Sequence, residues 1–156
     1  MKRKSVRIYS FTGTGSCLAL KLAEKLKQEG YVCTGYTVAR FAEDKRLQRL
    51  NDGWKQEIGA SWGEHALVFI GAAGIAIRAI APFVKDKFTD PPVIVLDEKG
   101  TFAIPLLSGH VGGGVTLAKV LAEYTGGRAV ITTATDVQKK FAADVFAMEN
   151  LSLIHI

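Results

Sequence analysis

Two features that would define a function class are scarce in this chain. Cysteine is the first: there are two, Cys17 and Cys33, too few for a disulfide framework or a zinc site. Both sit among apolar neighbours and read as ordinary core thiols. Long hydrophobic runs are the second. No uncharged apolar stretch reaches the roughly 18 residues a membrane span needs. The longest, 66–77, is broken by Gly71 and Gly74 and closed by Arg78. The apolar segment 6–11, behind a basic start, is too short and too polar for a signal peptide. The expectation is a cytoplasmic protein with no membrane contact and no metal site of its own.

What is present is ordinary globular material. The 156 residues are 48% hydrophobic and 22% charged, which suits one domain with a real core. The net charge of +5 favours anionic partners. Basic residues are dispersed, apart from the N-terminus and 40–49, and are not interleaved with aromatics, so nucleic acid is not expected. A solvated basic surface and a polycarboxylate ligand both fit this charge.

Strand and helix signals alternate. Segment 6–10 reads as a strand. Segment 16–29 reads as a helix, with Leu18, Leu22 and Leu26 on one face and Gly30 as its stop. A second strand follows at 32–38, then a polar, irregular stretch at 40–51. A short helix at 52–63 would place Trp54, Ile58 and Trp62 together. Strands at 66–70 and 92–96 flank a helix at 75–84. The turn Asp97-Glu98-Lys99-Gly100 suggests that 101–106 is the return arm of a hairpin. A helix at 112–126 and a strand at 128–132 complete the pattern. The predicted fold is three-layer α/β/α with a mostly parallel sheet, Rossmann- or flavodoxin-like.

Ligands of such sheets bind beyond the carboxyl ends of the strands. Three glycine-rich turns, 12–16, 71–74 and 108–114, are expected on that one edge, where glycine lets backbone N–H groups approach an anion. In the second turn Gly71, Ala72 and Gly74 leave room for a large flat ligand. Arg78, one turn into the helix, could hold a carboxylate bidentately or be a surface arginine. Lys85 opens a charged connection, where Asp86 and Asp90 could pair with lysines or ligand, or simply be solvated.

The third turn is the most informative: Ser108-Gly109-His110-Val111-Gly112-Gly113-Gly114. So many glycines are costly in chain entropy unless the backbone shape matters. His110 can move a proton near pH 7, or cap a helix or satisfy a loop carbonyl. In an extended backbone Ser108 would share its face. His65, before a strand, and His155, in the tail, lack comparable surroundings. Thr132, Thr133 and Asp136 follow the last strand and point to the ligand edge or cap a helix.

The runs ALVFIGAAGIAIRAIAPFVKDKFTDPPVIVLDEKG, IPLLSGHVGG and VITTATD followed by FAADVFA resemble the cobalamin biosynthesis protein G family over about 66–147. The SGHVGG and IGAAGIAIRAIAP runs are each specific, and in tandem very specific. The resemblance implies a hydrolase of anaerobic corrin-ring synthesis. It would open the δ-lactone of cobalt-precorrin-5A and release acetaldehyde to give cobalt-precorrin-5B. It implies a cobalt-corrinoid substrate that brings its own cobalt, with no further cofactor, and leaves contact with neighbouring pathway enzymes open.

On that reading His110 is the catalytic base, or activates Ser108. The amides of Gly112 and Gly113 hold the oxyanion. Gly71, Ala72, Gly74, Arg78, Lys85, Gly109, Thr132, Thr133 and Asp136 contact the substrate. The competing reading is a non-catalytic module that holds FMN on 12–16 or a tetrapyrrole. The division expected is an N-terminal α/β domain over 1–136 and the start of a truncated linker or middle region over 137–156. The apolar ending LSLIHI does not resemble a natural domain end.

Overall fold

A computed structural model describes residues 4–109, 112–134 and 136–138. The elements follow the sequence closely. They are β1 (Ser5–Ser10), α1 (Gly13–Gln28), β2 (Val32–Thr37), β3 (Leu47–Arg49), α2 (Trp54–Ala60), β4 (Ala66–Ile70), α3 (Ala73–Ile80), β5 (Val93–Leu96), β6 (Phe102–Leu107), α4 (Gly114–Thr125) and β7 (Arg128–Ala129). They build one seven-stranded sheet in the order β3-β2-β1-β4-β5-β6-β7. β1 to β5 are mutually parallel. β4 and β5 lie at the centre as near-continuous apolar runs, buried on both faces, as parallel strands covered by helices must be.

Two layers of helices cover the sheet. On one face Leu22 and Leu26 of α1 and Ala118 and Leu121 of α4 pack against Ile8, Val68 and Ile94. On the other, Ile58 of α2 and Ala76, Ala79 and Ile80 of α3 pack against Tyr9, Phe69 and Val95. Trp54 and Trp62 join this second layer as predicted. Among the described residues no helix is long and apolar enough to cross a membrane.

Three expectations are corrected. The stretch 40–51 is not wholly irregular: it holds the three-residue edge strand β3, too short for periodicity to reveal. Cys17 is exposed, whereas Cys33 is buried: Cys17 falls on the outer side of α1, between the buried Ser16 and Ala19. The third correction concerns the edge at which the third glycine turn lies; the hairpin expected over 101–106 does form. The Asp97 carboxylate accepts from the Phe102 amide at 2.7 Å, and Gly100 takes the left-handed φ of +72°. This tight turn sends β6 back antiparallel to β5, with Leu107 beside Val93. β7 runs parallel to β6.

β6 and β7 therefore end at the amino edge of the parallel strands. Turns 12–16 and 71–74 lie at the carboxyl edge, and residues 108, 109 and 112–114 of the third turn lie at the opposite one. β4, five residues long, separates the edges by roughly 15 Å at about 3.3 Å per residue.

Candidate functional site

At the amino edge the glycine loop is anchored from below. Ser108 has φ +54°, so its backbone is left-handed rather than extended, and the expected shared face with residue 110 does not follow. Its buried hydroxyl donates to the Asp90 carbonyl at 2.8 Å. Asp90 is itself buried: its carboxylate accepts from the Lys85 amide and from Trp62 Nε1, each at 3.0 Å. Lys85 thus meets the site through its main chain. The loop then closes on itself, as the Gly114 amide donates to the Ser108 carbonyl at 3.1 Å and the Val115 amide to that of Gly109 at 2.7 Å.

Little space exists inside this loop. A Cβ on Gly112 would stand 2.7 Å from Ser108 Cβ, and one on Gly114 3.1 Å from the Gly109 Cα. Gly113, at φ +85°, caps α4 without a side-chain hydrogen bond. Thr133 abuts the loop, its methyl 3.4 Å from where a Gly109 Cβ would lie. Thr133 also donates to the Asp136 carboxylate, and its carbonyl accepts from the Val137 amide at 3.1 Å. Thr133 and Asp136 therefore sit at the start of a helical turn. Thr132 is exposed just before it.

A cleft of about 360 Å³ opens beside the loop, lined by Gly112, Gly113, Thr116, His65, Lys4 and Tyr31 among others. His65 lies just ahead of β4, and Ser5 begins the neighbouring β1. Their side chains meet at 2.6 Å between Nδ1 and Oγ. Burial, and then the Arg7 cation, lower the imidazole's pKa from 6.5, which keeps it neutral near pH 7. Sequence reasoning passed over His65. The register of β1 on β4, which sets Val6 opposite Ala66, brings it to Ser5, and no local motif announces that pairing.

The carboxyl edge carries the other predicted residues. Ala72 is the N-cap of α3 and offers no side-chain cap. Arg78 folds back over the first turn: its Nη1 lies 3.0 Å from the position of a Gly74 Cβ, so Gly74 makes room for the guanidinium. A second cleft, about 570 Å³, lies here between Phe11, Leu50, Trp54, Lys55, Ile75 and Arg78.

Turn 12–16 behaves as a helix start. The Thr12 hydroxyl accepts from the Gly15 amide at 2.9 Å and donates to Glu98 at 2.7 Å. A carboxylate already on this turn opposes a phosphate there, which weakens the FMN reading.

The predicted site thus divides. Ser108, Gly109, Gly112, Gly113, Thr132, Thr133, Asp136 and the Lys85 main chain gather at the amino edge. Gly71, Ala72, Gly74 and Arg78 gather at the carboxyl edge. His110 lies outside the described residues, as does the 137–156 segment apart from Val137 and Gln138.

The architecture defines a doubly wound, three-layer α/β domain with a terminal antiparallel hairpin. The family model described as Cobalamin synthesis G N-terminal matches residues 58–136, half of the chain, and the chain belongs to that family. It is 39% identical to the cobalt-precorrin-5A hydrolase of Salmonella typhimurium over 159 aligned positions, covering 96% of this chain and 41% of that one. It is 48% identical to the cobalt-precorrin-5A hydrolase of Priestia megaterium over 80 positions, 51% of this chain and 21% of that one. A solved structure of a cobalamin biosynthesis protein G homolog from Sulfolobus solfataricus superposes with a TM-score of 0.64 at 26% identity, covering 82% of this chain and 36% of that one. The chain spans less than half the length of each of these proteins.

Proposed function

We propose that this domain takes part in the hydrolysis of cobalt-precorrin-5A in anaerobic cobalamin synthesis, with the amino-edge cleft as the reaction site. One observation carries the reading: the Gly112 and Gly113 backbone and the His65–Ser5 pair line the same cleft. Its volume suits the lactone edge of a corrinoid and not the whole ring. Lys4, on the same wall, supplies a cation for a peripheral carboxylate.

The chemistry proceeds in two stages. A base takes a proton from water, which attacks the lactone carbonyl while the Gly112 and Gly113 amides hold the oxyanion. The C–O bond then breaks, leaving a carboxylate and a free hydroxyl. Loss of that hydroxyl's proton to the base lets the two-carbon unit leave as acetaldehyde. The electrons of the broken C–C bond remain on the ring, which accepts a proton.

His110 is the base nominated by the sequence. His65 is the second imidazole: with its proton on Nδ1 and donated to Ser5, Nε2 is left to accept. Ser108, whose hydroxyl is committed to Asp90, shapes the loop and is not a nucleophile on this reading. Thr132, Thr133 and Asp136 border the substrate. The cobalt arrives with the substrate, and no other cofactor is invoked.

The test is anaerobic incubation of this chain with cobalt-precorrin-5A, following cobalt-precorrin-5B and trapped acetaldehyde. His110→Ala and His65→Gln should each lower turnover by at least tenfold. Near-normal turnover in both variants, or no turnover by the unsubstituted chain, overturns the reading.

A further inference from the structure

Three of the six large apolar side chains exposed among the described residues fall in one short stretch: Ile77 at 53%, Val84 at 43% and Phe88 at 71%. A single exposed apolar residue needs no explanation, whereas a contiguous set does. The backbone makes this set contiguous. α3 passes directly into one 3-10 turn over Ala81–Phe83. Its inner side buries Ala76, Ala79 and Ile80. Ile77, Ala81 and Val84, at positions i, i+4 and i+7, fall together on the outer side, and all three are exposed.

Phe88 follows four residues on, carried by a fixed loop. The Asp86 carboxylate accepts from the Phe88 amide at 2.8 Å and from the Thr89 amide at 3.0 Å. It also takes the Thr89 hydroxyl at 2.6 Å. The buried Asp90 carboxylate holds the Lys85 amide at the start of the loop. The ring is therefore presented on ordered backbone, so covering it immobilises little extra chain. Lys85 and Lys87 flank it, and neither makes a salt bridge among the described residues. With Arg78, and against Asp86 alone, they make 77–89 a basic surface.

Charge and reach decide what covers this face. A second copy would set a basic surface against itself, which opposes association. The next part of the same chain complements it instead. Residues 141–156 carry Asp144 and Glu149 and no lysine or arginine. Phe141, Val145 and Met148 recur at i, i+4 and i+7, the interval of the stripe on α3. The segment also follows from the correct edge. Thr133 abuts Gly109, next to the Ser108 that bonds to Asp90 at the end of the Phe88 loop. β7 stands two strands from β5, about 10 Å, a gap that roughly three extended residues span.

We infer that the face formed by Ile77, Val84 and Phe88 is the docking surface for this chain's own segment 141–156. Phe141, Val145 and Met148 cover the stripe and the Phe88 ring. Asp144 and Glu149 meet Lys85 and Lys87.

The test places the photoreactive analogue benzoylphenylalanine at position 88 of the intact chain. After irradiation of dilute protein, digestion and mass spectrometry should find the cross-link within 141–156, in product of monomer mass. Phe141→Asp combined with Val145→Asp should lower that yield at least fivefold, and Asp144→Lys combined with Glu149→Lys should lower it too. Circular dichroism should show the same helix and strand content in every variant.

A dimer-mass product gives the face to a second copy, and Phe88-dependent sedimentation with phosphatidylglycerol vesicles gives it to a membrane. Either overturns the inference, as does a yield that the two aspartates leave unchanged. The readout is a contact and not turnover, so it stands or falls separately from the hydrolytic reading.

Discussion

The Ser108 hydroxyl donates to the main-chain carbonyl of Asp90 at 2.8 Å, tying the glycine loop to the connection that precedes β5. The same Asp90 collects the Lys85 amide and the Trp62 indole on its carboxylate. A two-residue chain of contacts therefore joins the loop, the end of the α3 connection and the α2 layer.

Removing either partner should be felt. Ser108→Ala leaves a buried carbonyl unpaired, which costs about 1–3 kcal/mol. Ser108→Gly loses the same bond but relaxes the left-handed backbone, and should cost less. Asp90→Ala strips acceptors from two donors and should cost more than either. Urea unfolding of the three variants gives the ranking. The hydrolysis assay adds a second readout. A nucleophilic serine predicts complete loss of activity in Ser108→Ala, whereas an anchoring serine predicts a reduced but measurable rate.

Two adjacent glycines should respond to very different degrees to the same change. Gly113 has an open surround and a left-handed φ, so Gly113→Ala should cost only the backbone strain, about 1 kcal/mol. Gly112→Ala drives a methyl against Ser108 Cβ and its carbonyl at 2.7 and 2.9 Å. The loop must move to admit it. Substrate affinity should therefore fall much further in Gly112→Ala than in Gly113→Ala. Equal behaviour in a binding titration would show that the loop shape does not matter.

The same loop marks how far the sequence can be read. Apolar periodicity located α1 to α4 and the central strands, because those segments bury whole faces and have no choice of pattern. The hairpin was announced by Asp97 to Gly100, whose side-chain and glycine chemistry is local. Its consequence was not local. Which edge receives Ser108 depends on the direction of β6 relative to β1 and β4, and that is fixed by pairing between segments far apart in sequence. For the same reason the His65–Ser5 contact, across 60 residues, left no motif, and a set of residues expected at one edge separated into two. The apolar neighbours of Cys17 belong to the helix face on either side of it, so proximity in sequence misread its exposure.

Thiol chemistry should reflect that difference. Cys17 is exposed, and burial pushes the Cys33 thiol up to about 11. The thiolate is the reactive form, so native protein at pH 8 should take up one equivalent of iodoacetamide, on Cys17. Unfolding in guanidinium should raise this to two. Peptide mapping that finds Cys33 labelled as fast as Cys17 in the native protein would contradict the packing of β2 against α1.

The last prediction concerns pH. Burial and then Arg7 lower the His65 pKa from 6.5, with Glu64 opposing. Between the lowered folded value and 6.5 the unfolded chain binds more protons at this site than the folded one. Stability linked to His65 therefore rises with pH through that window. It is fully present above 6.5 and is lost as pH falls towards the folded value. His65→Gln should remove this dependence: its urea midpoint should fall less on acidification than that of the parent chain. Turnover should show the same group in another way. If His65 accepts a proton at Nε2, the acid limb of the rate profile should report a pKa below 6.5, and the limb should move or vanish in His65→Gln. An unchanged acid limb, together with the expected change in stability, would leave His65 a structural imidazole and return the acid–base role to His110 alone.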